Sequence, residues 1–364
     1  MPLPSTLKIR RARPDDVHHL MAMAAQPSVR AGMLLMPYPE PSRWADWPGR
    51  SGATDLVLVA EVDGRAVGHA SLSPEEASPA RRHVRSLALG LLDDYQGQGI
   101  GAALLAALVD YCDRWLNVGR LELTAFSANE AALALYRRFG FEVERRMHGD
   151  AFRAGGWPDS LTMARFNPAW QWPEAPASSF EPASPLPLQG ELTLRRATLA
   201  DAAALAAMFD DLGTVSGTTQ MPYANLPLWQ QRLSQPAEGR LMLVAELGGV
   251  VVGCAGLHPD SHGEARQHVR NIGITVTPGA QGRGIGRRLL AELVDYADNW
   301  ANIGRLMLTV YTDNAAAIHL YRSLGFEMEG THRRYAFRNG QWKDVHAMAR
   351  LSPRFSRELD QDHK

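Results

Sequence analysis

Two glycine-rich turns, each followed at a fixed distance by an asparagine and a tyrosine, stand in two separate parts of this 364-residue chain. Gln96–Gly101 reads QGQGIG and Gln281–Gly286 reads QGRGIG. Each turn follows an apolar, β-rich segment and enters an apolar helix, so several backbone N–H groups converge at a positive helix N-terminus. Such a nest suits a diphosphate. P-loop and Rossmann nucleotide sites are set aside, because the GxxxxGK[ST] pattern is absent, the final Rossmann glycine is missing and three strands come first.

The repetition extends well beyond the turns. Residues 96–144 and 281–329 lie 185 positions apart, align without a gap and are identical at 30 of 49 positions. A unit of about 160 residues has therefore been duplicated, a length typical of an independent domain rather than a solenoid repeat. The predicted organisation is a first domain over 1–166, a proline-rich linker over 167–190, a second domain over 191–352 and a polar tail over 353–364.

Hydrophobic periodicity predicts the same element order in both halves, β-α-α-β-β-β-α-β-α-β-β. Asp63-Gly64, Gly248-Gly249 and Asn339-Gly340 lie between alternating segments and predict tight hairpin turns. The helices after the glycine turns are predicted over 100–116 and 285–301. This pattern predicts an α/β unit built on a mixed sheet.

Composition narrows the classes of partner. The net charge is −1 and neither half has a long basic run, so nucleic acid and acidic membranes are not expected partners. The first residues lack an apolar signal region, and no stretch of 18 apolar residues occurs, which favours a cytoplasmic protein without a membrane span. Cys112 and Cys254 occupy non-equivalent positions and are expected to be small buried hydrophobes. No Cys/His spacing indicates a metal site.

The segment after each turn is more specific. Asn129 precedes Tyr136 by seven residues and a Gly-Phe-Glu follows, and Asn314 and Tyr321 repeat this block. Together with the [QR]-x-x-G-x-[GA] turns, the block resembles the GCN5-related N-acetyltransferase (GNAT) superfamily over both units. More narrowly, the Pro-Tyr near a Trp and the closing Phe-Arg-x-Gly-x-Trp-x-Asp resemble bacterial acetyltransferases that act on free amino acids.

The resemblance implies a mixed, mostly antiparallel sheet flanked by helices in each unit, with parallel strands 4 and 5 splayed apart and the two units in a pseudo-two-fold arrangement. Acetyl-CoA, the implied acetyl donor, would lie where those strands diverge. Tyr136 and Tyr321 would be catalytic, donating a proton to the leaving thiolate. Asn129 and Asn314 would contact the pantetheine or cap the following helix. The cofactor-binding residues that the resemblance implies are Leu89, Leu91, Gln96, Gly97, Gly99, Gly101, Asn129, Ile274, Val276, Gln281, Gly282, Arg283, Gly284, Ile285, Gly286, Arg287 and Asn314.

The sequence leaves the proton acceptor for the attacking amine open. Relatives often place an acid on the strand before the turn, whereas this chain has Ser86-Leu87 and Asn271-Ile272 there. The remaining candidates are a chain of water molecules or the pairs His83/His268 and Glu61/Glu246. Apolar residues are expected to form the acceptor pocket and to favour a small acceptor with a hydrophobic side chain over a polyamine: Met36-Pro37-Tyr38 with Trp44, and Met221-Pro222-Tyr223 with Trp229.

The two turns differ in charge. Arg283, Arg287 and Arg288 surround the second turn, whereas the first has Gln98, Ala102 and Ala103 and follows Asp93-Asp94. Since cations attract a diphosphate and carboxylates repel it, the second unit is expected to bind acetyl-CoA more strongly, with both units binding.

The predicted function is therefore acetyl-CoA-dependent transfer of an acetyl group to a primary amine of a small molecule, such as an amino acid, by direct attack. Three alternatives stay open: a protein or peptide N-acetyltransferase, a mycothiol-synthase-like enzyme, and a CoA-binding protein in which one or both units are catalytically silent. The tethered pair would behave as a monomer with an internal pseudo-dimer, and a higher oligomer is left open.

Overall fold

The computed structural model describes residues 3–32, 56–74, 79–116, 118–175, 190–221, 226–234, 239–260 and 264–362. Most of the predicted pocket walls, namely Met36, Pro37, Tyr38, Trp44, Pro222 and Tyr223, lie outside these residues. The chain forms two compact units, the first comprising Met1–Ala77 and Arg81–Trp172 and the second Pro173–Lys364 and Ser78–Ala80. In the described part of the chain, no helix combines the length and the apolar character needed to span a bilayer.

The first unit is a sheet of order β1-β2-β3-β4-β5-β7-β6 in which only β4 and β5 pair in parallel. Its described helices and strands are β1 (Lys8–Arg11), α1 (Val17–Ala24), α2 (Pro27–Gly32), β2 (Leu56–Val62), β3 (Arg65–Pro74), β4 (Val84–Leu91), α3 (Ile100–Arg114), β5 (Arg120–Phe126), α4 (Glu130–Arg138), β6 (Glu142–Met147) and β7 (Ser160–Phe166).

The second unit repeats this topology in the order β8-β9-β10-β11-β12-β14-β13, with β11 and β12 as the parallel pair. The predicted α/β class with a mixed sheet is thus confirmed for both units. The described elements are β8 (Leu192–Arg196), α5 (Ala202–Asp210), α6 (Leu212–Val215), α7 (Leu226–Ser234), β9 (Leu241–Leu247), β10 (Val250–Pro259), β11 (Val269–Val276), α8 (Ile285–Asn299), β12 (Arg305–Tyr311), α9 (Ala315–Arg322), β13 (Glu327–Arg338), β14 (Gln341–Leu351) and α10 (Pro353–Asp362).

The predicted hairpin turns are confirmed by their backbone angles. Both residues of each turn have positive φ, with values of 50° and 75° at Asp63-Gly64 and of 47° and 77° at Asn339-Gly340. Gly248-Gly249 shows the same signs. Two successive residues of this kind define a type I′ turn, whose twist matches that of the strands it joins.

The sheet of the second unit carries helices on both faces. Leu289, Leu290 and Leu293 of α8 are fully buried in one cluster with Leu306 and Leu308 of β12. Burying one leucine stabilises the fold by about 1.5–3 kcal/mol. The opposite face is covered by α5, and Trp229 of α7 stacks on Phe209 at a ring distance of 5.0 Å. Trp229, expected to line a pocket, is therefore a core residue.

Both cysteines are free and buried, as the sequence predicts. Burial raises the pKa of the Cys112 and Cys254 thiols to about 12. Neither sulfur is therefore a thiolate at neutral pH, which argues against a role as a nucleophile.

The repeat continues past the boundaries that the sequence suggests. In both units an aromatic ring from beyond the last strand covers an equivalent glycine, Trp170 at Gly119 and Phe355 at Gly304, where an added Cβ would approach ring carbon to 2.8 Å. Most of the stretch expected as a polar tail forms α10, because Phe355 and Leu359 recur at helical spacing and are both buried.

Candidate active site

The parallel strands of each unit diverge after three residue pairs. In the first unit the pairing runs from Val84↔Arg120 to Ser86↔Glu122, although β4 continues to Leu91. In the second it ends at Asn271↔Met307, although β11 continues to Val276. In their carboxyl halves β4 and β11 keep β3 and β10 as partners on one edge, whereas among the described strands none pairs with the other edge. We call this open edge the cleft, and it agrees with the splay expected for this fold.

Backbone direction identifies the groups that face the cleft. The N–H of Leu92 donates to Val67 on β3, and the N–H of Thr277 donates to Val252 on β10. Because successive backbone groups of a strand point to opposite sides, the N–H and C=O of Leu89 and Ile274 point toward the cleft, as do those of Leu91 and Val276. All four are among the cofactor-binding residues that the family resemblance implies.

The glycine turns need glycine for their conformation. Gly99 and Gly284 are the residues that precede α3 and α8, and their φ values are 79° and 75°. This left-handed region costs other residues about 1–2 kcal/mol. A Cβ built on Gly284 meets no atom within 4 Å, so the turn opens onto free space. No side chain caps either helix, and its first N–H groups remain available to an anion.

Gly101 and Gly286 serve close packing instead. A Cβ on Gly101 would lie 3.5 Å from Leu135 of α4, and one on Gly286 would lie 3.3 Å from Leu320 of α9. The absence of a side chain lets the helix after each turn approach the short helix that carries Tyr136 or Tyr321.

The glutamine side chains brace the turns. Gln96 donates to the carbonyl of Leu91 at 3.3 Å, and Gln281 donates to the carbonyl of Val276 at 3.0 Å. Each bond ties the turn to the end of the preceding strand. The side chains therefore fix the shape of the turn, which leaves the binding of an anion to backbone amides.

Asn129 and Asn314 cap α4 and α9. Their Oδ1 atoms accept from the N–H groups of Ala132 at 3.2 Å and Ala317 at 3.1 Å. The capping interpretation is thus observed, and these bonds use the oxygen only. The amide nitrogens lie toward Gly32 and Gly217, where a Cβ would approach them to 3.2 and 3.7 Å.

Tyr136 and Tyr321 combine a buried ring with an unused hydroxyl. The two tyrosines are 7% and 6% exposed, respectively, and each ring packs on the phenylalanine of the Gly-Phe-Glu block. Within the described ranges no group hydrogen-bonds either hydroxyl, and neither is a fully enclosed atom. Burial raises the pKa of Tyr136 to about 12 and that of Tyr321 further. Both phenols therefore keep their protons at neutral pH and can donate them.

The four side chains considered as proton acceptors are engaged elsewhere. His83 and His268 precede the first residue of β4 or β11, at the opposite end from the cleft, and contact Trp172 and Phe355. Glu61 and Glu246 bind Arg10 and Arg195 at 2.7 and 2.9 Å. These glutamates lie on β2 and β9, which a further strand separates from β4 and β11.

A histidine that the sequence analysis did not select lies nearer the divergence. His258 of β10 pairs with Asn271, the last residue of β11 that pairs with β12. Burial, reinforced by Arg240 and Arg232, lowers the pKa of His258 to about 4. Its imidazole is therefore neutral at pH 7, and the equivalent position of the first unit is Ser73. Only the register between β10 and β11, which no residue type in the sequence marks, could have indicated His258.

The charges at the two turns differ as the sequence predicts. Arg287 and Arg288 are exposed, and Arg287 donates to Ser323, the residue that follows α9, at 2.7 Å. In the first unit Asp93 accepts from Gln96 at 3.0 Å beside the turn. The Arg283 side chain is also exposed. The second turn thus presents cations at positions where the first has neutral residues, and carboxylates precede only the first turn.

We expect Arg287→Gln with Arg288→Gln to weaken acetyl-CoA binding by the second unit. Exposed charges contribute about 0–1 kcal/mol each, so Kd should rise roughly three- to tenfold, and less at high salt. Calorimetry at two salt concentrations measures this. The reverse experiment adds the arginines to the first turn: Ala102→Arg with Ala103→Arg should lower the Kd of the first unit for acetyl-CoA. An unchanged Kd in both pairs would show that these side chains do not meet the phosphates.

The model of the Acetyltransferase (GNAT) family matches residues 19–141 and again 204–326, together more than half of the chain. The L-amino acid N-acetyltransferase AaaT of Escherichia coli is 36% identical over 161 residues, covering 44% of this chain and 98% of that protein. The N-alpha-acetyltransferase RimI of Mycobacterium tuberculosis is 45% identical over 109 residues, covering 30% of this chain and 64% of that protein.

Among solved structures, yncA of Salmonella typhimurium, determined with its cofactor acetyl-CoA, is 23% identical with a TM-score of 0.44. The match covers 47% of this chain and 99% of that one. The duplicated motifs and the two family matches lead to the same conclusion: the chain belongs to the GNAT acetyltransferase family, which uses acetyl-CoA, and contains two copies of its domain.

Proposed function

We propose that each unit transfers the acetyl group of acetyl-CoA to the primary amine of a small molecule. The observation that carries this proposal is the cleft that opens where β4 leaves β5 and β11 leaves β12, with a glycine turn following β4 or β11. The buried phenols of Tyr136 and Tyr321, to which no described group hydrogen-bonds, support it. The likeness to an L-amino acid N-acetyltransferase over 98% of its length supports a small acceptor.

Each part of the cleft has a task. Bound acetyl-CoA supplies the acetyl group as a thioester. The N–H groups of the turns 96–101 and 281–286 hold the diphosphate, and the backbone at Leu89 and Ile274 aligns the pantetheine amides. The phenol of Tyr136 or Tyr321 gives its proton to the departing sulfur. The amine attacks the carbonyl directly, since both cysteines are buried and protonated.

The amine must lose a proton before or during the attack. The four side chains proposed from the sequence lie away from the cleft, and His258 has no histidine counterpart in the first unit. Among the proton acceptors that the sequence left open, a chain of water molecules is the one that both units could use, so it agrees best with catalysis in each unit.

This assignment predicts the pH profile. Log kcat/KM should rise with unit slope until the amine of the acceptor is deprotonated, with no step near 6.5. No falling limb should occur up to about pH 11, because the acid, Tyr136, has a pKa raised to about 12. His83→Asn and His268→Asn should leave the profile unchanged. A step near 6.5 that either variant removes would instead identify that histidine as the base.

A panel of acceptors tests the function itself. Release of free thiol and the masses of the products would be measured with free amino acids, spermidine, a short peptide and the cysteinyl sugar precursor of mycothiol. The proposal expects turnover with a small amine. Preference for the peptide would favour a protein N-acetyltransferase, and binding of acetyl-CoA without turnover on any amine would favour a silent CoA-binding protein.

A further inference from the structure

Arg338 holds an unusual position at the end of the closing hairpin of the second unit. Its guanidinium carbon lies 4.5 Å from the ring centre of Tyr311, the last residue of β12. Because Leu308 and Val310 face the α8 core, Tyr311 faces the opposite side of the sheet. Its hydroxyl lies 3.4 Å from the carbonyl oxygen of Thr218, in the loop after α6. Arg338 therefore lies where β12 has diverged from β11, on the side covered by α5.

The guanidinium has no acidic partner in the described part of the chain. The neighbouring carboxylates are already engaged, since Asp313 binds Lys343 at 3.0 Å and Asp344 accepts from the N–H of Arg334 at 2.7 Å. Contact with the ring of Tyr311 uses none of the five N–H groups as a donor to an oxygen, so these donors remain for an anion. Arg338 is partly buried, and a partly desolvated cation of this kind favours an anion that can bind in its plane.

The first unit repeats the contact between an arginine and the aromatic ring at the end of the strand. Arg153, the equivalent residue, lies 5.3 Å from the ring centre of Phe126 at the end of β5. Burial and the nearby charge of Arg30 on α2 lower the pKa of Arg153, which places two cations close together. A positive group at the open end of this strand is thus a feature of both units.

We propose that Arg338, and Arg153 in the first unit, bind the carboxylate of the acceptor, so that the substrates are free α-amino acids rather than polyamines or peptides. This inference rests on the proposed function. The planar guanidinium matches the two oxygens of a carboxylate. The glycine nest follows β11, whereas Arg338, the last residue of β13, contacts Tyr311 at the end of β12, so the two anion sites serve different partners: the diphosphate and the acceptor.

The test compares a free amino acid with its α-amide, using the full-length chain. With the amino acid that the panel shows to be used best, Arg338→Gln combined with Arg153→Gln should lower kcat/KM at least tenfold. Turnover of the amide should change less than twofold, and Kd for acetyl-CoA should stay the same. Arg338→Lys with Arg153→Lys should retain part of the preference. If the arginines had a purely structural role, the variants would lower kcat/KM equally for the amino acid and for its amide. Thermal unfolding measures any loss of stability.

Three results would overturn the proposal. The first is equal loss for the acid and the amide, and the second is a rise in Kd for acetyl-CoA, which would assign the arginines to the donor. The third is a wild-type preference for spermidine or a peptide, which would leave the acetyltransferase function standing. Failure of the wild type to bind acetyl-CoA would instead overturn the proposed function, and this inference with it.

Discussion

Gly99→Glu combined with Gly284→Glu is expected to abolish acetyl-CoA binding. Each residue has a φ near 75–79°, which costs a side chain about 1–2 kcal/mol. The larger effect is electrostatic, because a carboxylate about 5 Å from a diphosphate charge is repelled by on the order of 3 kcal/mol at an effective dielectric of about 20. Each single variant should therefore weaken its own site at least about 100-fold. Calorimetric titration measures both sites in one experiment.

Matched controls are available in the same chain. Gly64→Glu and Gly249→Glu add the same charge at φ values of 75° and 84°, in hairpin turns where a Cβ meets open space as it does at Gly284, whereas one on Gly99 would lie 3.2 Å from Leu3. They should cost similar stability, measured as Tm, and leave acetyl-CoA binding intact. Equal loss of binding in the controls would assign the effect to general destabilisation. Full binding by the double variant would show that acetyl-CoA does not use these turns.

Tyr136→Phe combined with Tyr321→Phe should lower kcat about 10²-fold, since general acid catalysis contributes at least this factor. No described group hydrogen-bonds to either hydroxyl, so removing both breaks no hydrogen bond in the described part of the chain. Tm and Kd for acetyl-CoA should therefore change little. Single-turnover and steady-state rates would be measured for both single variants and the double variant.

Tyr111→Phe and Tyr296→Phe are the matched controls on the longer helices α3 and α8, and they should have wild-type rates. If Tyr321→Phe alone removes most of the activity, the second unit carries most of the turnover. A double variant with wild-type kcat would contradict the assignment of the phenols as acids. The leaving thiolate would then be protonated by another group.

The fold was largely predictable because duplication doubled every signal. Turn chemistry at Asn339-Gly340 and the alternation of apolar residues determine hairpins locally, and both read directly from the sequence. The divergence of β4 from β5 was predicted only from the family resemblance, since no residue type marks the point at which a parallel pair separates. The helix at 353–362 was missed because two apolar residues in a charged stretch give a weak pattern.

The site was less predictable where a side chain has two uses. Asn129 suits both a helix cap and a ligand contact, and only the bond to the N–H of Ala132 shows that the cap forms. His83 is of a residue type that often serves as a base, yet its strand end lies away from the cleft. Arg338 has no local sequence signal beyond its motif, because its significance depends on Tyr311, which is distant in sequence.

The most direct test of the account is a single-turnover reaction of the full-length chain with acetyl-CoA and an amino acid, quenched at successive times and analysed by mass. The account predicts that the N-acetylated amino acid forms at the rate at which acetyl-CoA disappears, with one free thiol per product and no acetylated protein at any time. An acetyl-protein that forms and decays before the product would contradict direct attack. Absence of any acetylated amine would contradict the proposed function.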